Sequence, residues 1–318
     1  MSVLRVDLHV HLAATGAHDA TISERFRRSL SFRMLSRLLA LPSGSDAALT
    51  AAYTEGLLSA AAGAREADRF VVLALDRPHS EVGVPLDPDL HVGNQVVAAL
   101  CARSERLLLG ASVHPYRTDA LPALEEAKAL GAVLVKWLPN SQGIDPASRL
   151  CLPFYRRLRE LNLPLLCHTG DEHTIPTRSQ DLGDPRRLAP ALEAGVTVIA
   201  AHAGTRGGMG RQLYLPAMVE LCGRYPRLFL ETSGCCTPGR YGALQTLLRL
   251  PALRDRWVFG SDYPVPVIWP LLWGRSDGEL RRRAQAATNP LDARALALRA
   301  AGVPEAAFER AAQVIGLG

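Results

Sequence analysis

The chain is short of several features that would assign it to a special class. No apolar run approaches the roughly 18 residues of a bilayer-spanning helix, so no membrane segment is expected. The N-terminus enters an apolar segment directly, with no basic stretch and apolar core before it, so no secretory leader is expected. No block of like charge stands out among 36 basic and 31 acidic residues, and the net +5 is scattered, so no nucleic-acid arm is expected. The six cysteines, at 101, 151, 167, 222, 235 and 236, form neither a CxxC pair nor a disulfide framework. They read as reduced core thiols, and a cytoplasmic location follows as the default. Low-complexity linkers and internal repeats are also missing. Lysine is nearly missing: Lys128 and Lys136 stand alone against a background of arginine. That scarcity draws attention to both.

What remains is a chain of 318 residues, 48% hydrophobic and 21% charged, with ample length for one large core. Short apolar runs recur at 4–11, 70–76, 107–114, 132–138, 163–169, 196–202, 228–233 and 257–262. Most lack polar alternation, as strands buried on both faces do. Amphipathic stretches lie between most of them, at 93–106, 121–130, 151–161, 185–194, 215–225 and 241–250. Eight strands alternating with helices predict an α/β fold, a (β/α)8 TIM barrel. Residues 12–69 exceed the repeat and are expected to form a helical insert or lid, with helices near 23–41 and 46–67. Residues 264–318 are expected to form a C-terminal loop and helices near 277–287, 291–301 and 304–315. One domain, 1–318, is the expectation.

The first run, Val6-Asp7-Leu8-His9-Val10-His11, alternates faces, so His9 and His11 point the same way and can grip one metal ion. Other polar residues close the other runs: Lys136 in the fourth, His168 in the fifth, His202 in the sixth, Asp262 in the eighth. The C-terminal rim of a barrel is where such side chains converge.

These segments resemble the amidohydrolase superfamily of metal-dependent hydrolases. The likeness is strongest to the branch that includes aminocarboxymuconate-semialdehyde decarboxylase and related lactonases and hydratases. It is carried by Asp7-Leu8-His9-Val10-His11, Lys136-Trp137-Leu138-Pro139, His168-Thr169-Gly170, His202-Ala203-Gly204 and Gly260-Ser261-Asp262-Tyr263-Pro264. The resemblance implies a divalent metal, most simply Zn²⁺, held by His9, His11, His168 and Asp262. Asp262 would be the general base. His202 would orient substrate, exchange protons or bind a second ion. In binuclear members a carboxylated lysine bridges two metals, whereas in the mononuclear decarboxylase-like branch the lysine would contact a substrate carboxylate, so Lys136 sets the choice between one ion and two. A plain ammonium beside a cation would be repelled.

His114, Arg206, Arg211, Trp137 and His173 are further candidates to line a substrate pocket, with Glu231 as a partner for a ligand histidine. The leading expectation is hydrolysis of a small-molecule amide, lactone or ester by metal-activated water. The alternative is decarboxylation or hydration of a small carboxylic acid at the same site. Phosphodiester cleavage is a weaker alternative: the pI near 9.0 leans that way, but the nucleases of the superfamily usually carry glutamate where this chain has Lys136. A barrel without catalysis, serving as a binding module, would be expected to erode its ligands. The expected partner is the small-molecule substrate, with no nucleic acid and no membrane. A homodimer through the insert is a further possibility by analogy.

Overall fold

The computed structural model describes residues 3–16, 19–207 and 212–317. Its centre is eight parallel strands: β1 Val6–His11, β2 Arg69–Leu73, β3 Leu107–Ala111, β4 Leu134–Trp137, β5 Leu165–His168, β6 Val198–Ala201, β7 Leu228–Glu231 and β8 Trp257–Val258. They pair in chain order. β8 is shorter than the run 257–262, but the chain beyond it returns to β1. Leu8 N donates to Phe259 O at 3.1 Å, Asp262 N to His9 O at 3.0 Å and His11 N to Tyr263 O at 2.8 Å. Those bonds join the two edges of the curled sheet.

The strands are buried on both faces, which is why they read as continuous apolar runs. The inner face carries Val6, Leu8, Leu73, Leu134, Leu166, Ile199 and Val258. Residues of opposite parity, such as Val72, Val135, Leu165 and Val198, pack outward against the helices. β1 breaks this rule. Leu8 lies in the inner cluster, yet His9 also turns toward Lys136 on the inner face of β4. A register irregularity between Asp7 and Val10 allows both. Bulges of this kind re-aim side chains beside active sites.

The terminal helix Ala306–Val314 packs Ala311 and Ala312 against the inner cluster, and Phe259 N bonds Ala307 O at 3.1 Å. The stretch expected as one helix over 23–41 is two, α1 Glu24–Arg27 and α2 Leu30–Leu38, followed by α3 Asp46–Gly63. The break has a local cause: the Ser29 side chain accepts from Phe32 N and starts a new helix. Tyr53 on α3 ties the insert to the sheet, its hydroxyl donating to His11 O at 2.9 Å. An antiparallel ribbon, Ala20–Ile22 with Leu90–Val92, was too short to show a pattern in the sequence. Among the described residues no helix is long and apolar enough to cross a membrane.

Candidate metal centre

β1 and the turn after β8 bring His9, His11 and Asp262 together. One ligand atom from each lies within 4.8 Å of the others, a group able to hold a metal ion. His11 Nε2 is 3.1 Å from His9 Nε2 and 3.1 Å from Asp262 Oδ1, and His9 Nε2 is 3.4 Å from that oxygen. Ligands about 2.0–2.2 Å from a tetrahedral Zn²⁺ stand about 3.3–3.6 Å apart, so the spacing suits such an ion. The orientation of His9 is set from behind. Its Nδ1 donates to Glu231 Oε2 at 3.1 Å, which leaves the Nε2 lone pair facing Asp262, His11 and Lys136.

Lys136 Nζ is 3.2 Å from His9 Nε2 and the side chain is buried. No carboxylate pairs with it among the described residues. Burial holds its pKa below the usual lysine value, against the attraction of Glu231 and Asp262. Burial also acts against the charge of Asp262, but the neighbouring His9, His11 and His202 outweigh it, and its carboxyl stays well below the usual range. His11 Nε2 lies within hydrogen-bond distance of the Asp262 carboxylate, at 3.1 Å.

β5 and β6 supply a second pair. His202 Nδ1 lies 2.8 Å from Ser233 O, which can only accept, so Nδ1 carries the proton. Burial, then Arg240, holds both His202 and His168 well below the usual histidine pKa, so both rings are neutral. His202 Nε2 therefore accepts from His168 Nδ1 at 3.0 Å. His168 Nε2 is left as a buried lone pair without a hydrogen-bond partner. A buried acceptor in that state is costly unless something occupies it. Ser233 joins the halves of the site. Its Oγ lies 2.9 Å from His202 Nδ1 and 2.5 Å from Glu231 Oε2, so Glu231 orients His9 directly and His202 through Ser233.

The backbone is forced into unusual conformations at this site. Asp262 has φ 61° and His202 φ 62°, a region that non-glycine residues rarely occupy. Gly260 lies against the carboxyl group of Glu231: a Cβ there would be 1.8 Å from Glu231 Oε1 and 2.8 Å from the His9 Cβ. Gly260→Ala is expected to destabilise the protein by about 3 kcal/mol, the upper part of the range for overpacking. A shift of the urea midpoint at unchanged slope would measure it; an unchanged midpoint would show that Glu231 can move freely.

A cavity of about 470 Å³ opens above the group, lined by His9, His11, Lys136, His168, His202 and Asp262. Of the other candidates, His173 lines it too. Trp137 does not: it packs outward against Phe154 and Tyr155, with Nε1 donating to Val113 O at 2.9 Å. His114 is buried beside His79, where Nδ1 accepts from Tyr116 N at 3.2 Å and Nε2 faces Gln142 O at 3.2 Å. Arg206 is bound to the Asp171 carboxylate at 2.9 Å and does not line the cavity. Arg211 lies outside the described residues. A cavity residue that the sequence did not point to is Arg240. It is buried, and its bonds go to Thr205 O at 2.7 Å, Thr205 Oγ1 at 3.2 Å and Asp171 O at 2.5 Å. All these partners are uncharged, so no carboxylate neutralises the guanidinium among the described residues.

Comparison with known proteins agrees with this architecture. A family described as Amidohydrolase matches residues 6–301. No curated protein matches the chain. An uncharacterised TIM-barrel protein of Bordetella bronchiseptica is similar in structure, with a TM-score of 0.60 and 18% identity over 98% of this chain and 99% of that one. A Pseudomonas putida protein assigned as a 2-pyrone-4,6-dicarboxylic acid hydrolase gives 0.58 and 16%, over 100% and 99% of the two chains. A 2,6-dihydroxybenzoate decarboxylase from Rhizobium gives 0.52 and 18%, over 94% and 99%. At these identities the likeness speaks for the fold.

Proposed function

Because the chain belongs to the amidohydrolase family and is an enzyme of that superfamily, we propose that it is a metal-dependent hydrolase of a small-molecule amide, lactone or ester. The observation that carries this reading is the convergence of His9, His11 and Asp262 on one point, in a cavity whose wall also holds His168 with its unpartnered lone pair. Nitrogen and carboxylate ligands of this kind suit Zn²⁺. A divalent ion held there supplies Lewis acidity and lowers the pKa of water toward ~7.

The chain's own residues would do the rest. His9 offers Nε2 because Glu231 holds its other nitrogen, and His168 offers Nε2 because His202 accepts from its Nδ1. Asp262 is charged, with Oδ1 on His11 and Oδ2 beside Gly234 and 3.9 Å from His202 Nδ1. We assign it as the base that takes the proton of the attacking water. His202 fixes the tautomer of His168 and lies on the cavity wall, where it can orient substrate. Lys136, buried without a carboxylate, is the residue whose carboxylation would admit a second ion.

A second reading rests on Arg240. An unneutralised guanidinium on the cavity wall suits a substrate carboxylate, and a decarboxylase must hold one. The Rhizobium relative is named for such a reaction. Elemental analysis of protein purified without chelator tests the shared premise: about one ion per chain is expected, about two would support a carboxylated Lys136, and none would overturn the metal. A panel of lactones and cyclic amides against carboxylated aromatics, with CO2 detection, separates the reactions. Hydrolysis without CO2 is the expected result. CO2 release with no hydrolysis would establish the second reading instead.

A further inference from the structure

The reacting groups occupy only one end of the cavity. Most of the rest of its wall comes from α1 and α2 and from rim loops and is apolar, with Ser31 and Ser36 of α2 and Glu172, His173 and Thr174 of a rim loop interspersed. Phe26 stands on α1, and Phe32 and Leu35 on α2, with Leu39 just beyond; Ile175 and Ile268 come from rim loops. Phe32, Leu35 and Leu39 recur at intervals of three and four and so share one face. All three are only half-buried, and α2 holds no fully buried residue. An amphipathic helix normally buries its apolar face against the core. Here Phe32 packs on Phe26 and Leu39 on the edge of the core, yet the face stays half-buried and lines the cavity.

We propose that the substrate carries a medium-chain acyl or alkyl arm. The arm lies between α2 and the rim residues Ile175 and Ile268, with the reacting end at His9, His11 and Asp262. A cavity of about 470 Å³ lies in the ~300–1,000 Å³ range of drug-sized ligands. Polar groups at one end and mostly apolar walls elsewhere select an amphiphile over a small ring bearing polar substituents all round. Only the position of the reacting end rests on the metal-site reading; the apolar arm rests on the wall itself.

The test measures binding, not turnover. Affinities of the zinc-loaded protein for n-alkanoates from butanoate to dodecanoate are read by calorimetry, and n-alkanols of the same lengths are read in parallel. Each added methylene is expected to tighten binding about two- to fourfold until the arm fills the cavity. Leu35→Gln and Leu39→Gln, at half-buried positions that tolerate a polar group, should flatten this dependence while leaving butanoate unchanged. Circular dichroism verifies the fold of both variants. A length dependence with alkanols but not alkanoates supports the arm and removes the assigned position of the reacting end. Dodecanoate and dodecanol binding no tighter than their four-carbon counterparts would overturn the proposal. So would a length dependence that both variants leave intact.

Discussion

Asp262→Asn is expected to lower turnover about a thousandfold, within the ~10²–10⁴ range for loss of a general base. Asparagine is the informative replacement. It keeps the size of the side chain and tolerates the left-handed backbone, φ 61°, that the site imposes at this position. It retains an oxygen for a metal but not the negative charge, and it cannot take a proton. The low pKa of Asp262 makes it a weak base toward ordinary water. Its usefulness therefore depends on a nucleophile already made acidic. From this follows a stronger expectation: the losses from Asp262→Asn and from chelation should not multiply. The chelated wild type should fall to a similar rate, and chelating the variant should cost little more, as for groups that act as a unit. The measurement is kcat/KM for the four combinations on whichever panel compound the wild type turns over, with metal content determined for each. Full multiplicativity would mean that Asp262 acts independently of the metal. A variant at more than a tenth of wild-type rate would remove it as the base.

The parts of the site visible in the sequence share one property: they are strand ends. β1, β5 and β6 are apolar runs closed by a histidine, and an eight-strand rhythm is enough to place such residues on one rim. Period-two alternation also held information that rim position alone obscured. Lys136 points into the barrel, so Trp137, one residue on, must point out, and it packs on Phe154 and Tyr155. His114 follows its strand, and its direction is set by bonds to Tyr116 and Gln142 that no periodicity encodes. Arg240 was invisible for a related reason. Its partners are main-chain oxygens of residues 35 and 69 positions away, contributed by loops after two other strands. Nor does spacing announce the Ser233 link between Glu231 and His202. The inward aim of both Leu8 and His9 depends on a bulge that simple alternation excludes.

Metal-free protein is expected to lose stability steeply in mild acid, by about 3 kcal/mol per pH unit between pH ~6 and ~4.5. Four buried histidines set the sign. Burial holds His9, His168 and His202 well below 6.5 and His114 down to about 4, so in this range they are neutral when folded. Unfolded, each takes up a proton near its ordinary value of ~6.5. Two carboxyl groups oppose them. Burial pushes Asp7 up to about 7 and Glu231 up to about 8, so they hold protons when folded that the unfolded chain releases above ~4. Four protons gained on unfolding and two lost leave a net uptake of two, and stability falls as pH falls. Below pH ~4 the loss of the Asp262 charge acts in the same direction, because its folded pKa is depressed. Over that window the loss is about 4–5 kcal/mol, most of the total for a domain at the lower end of the ~5–15 kcal/mol range. Urea midpoints at pH 7.5, 6.5, 5.5 and 4.5 would measure it. His168→Gln, which removes one of the four, should reduce the slope by about 1.4 kcal/mol per pH unit whatever it does to stability at pH 7.5. A pH-independent midpoint over this range, or a slope unchanged in that variant, would mean that the histidines of the site are not held neutral by burial.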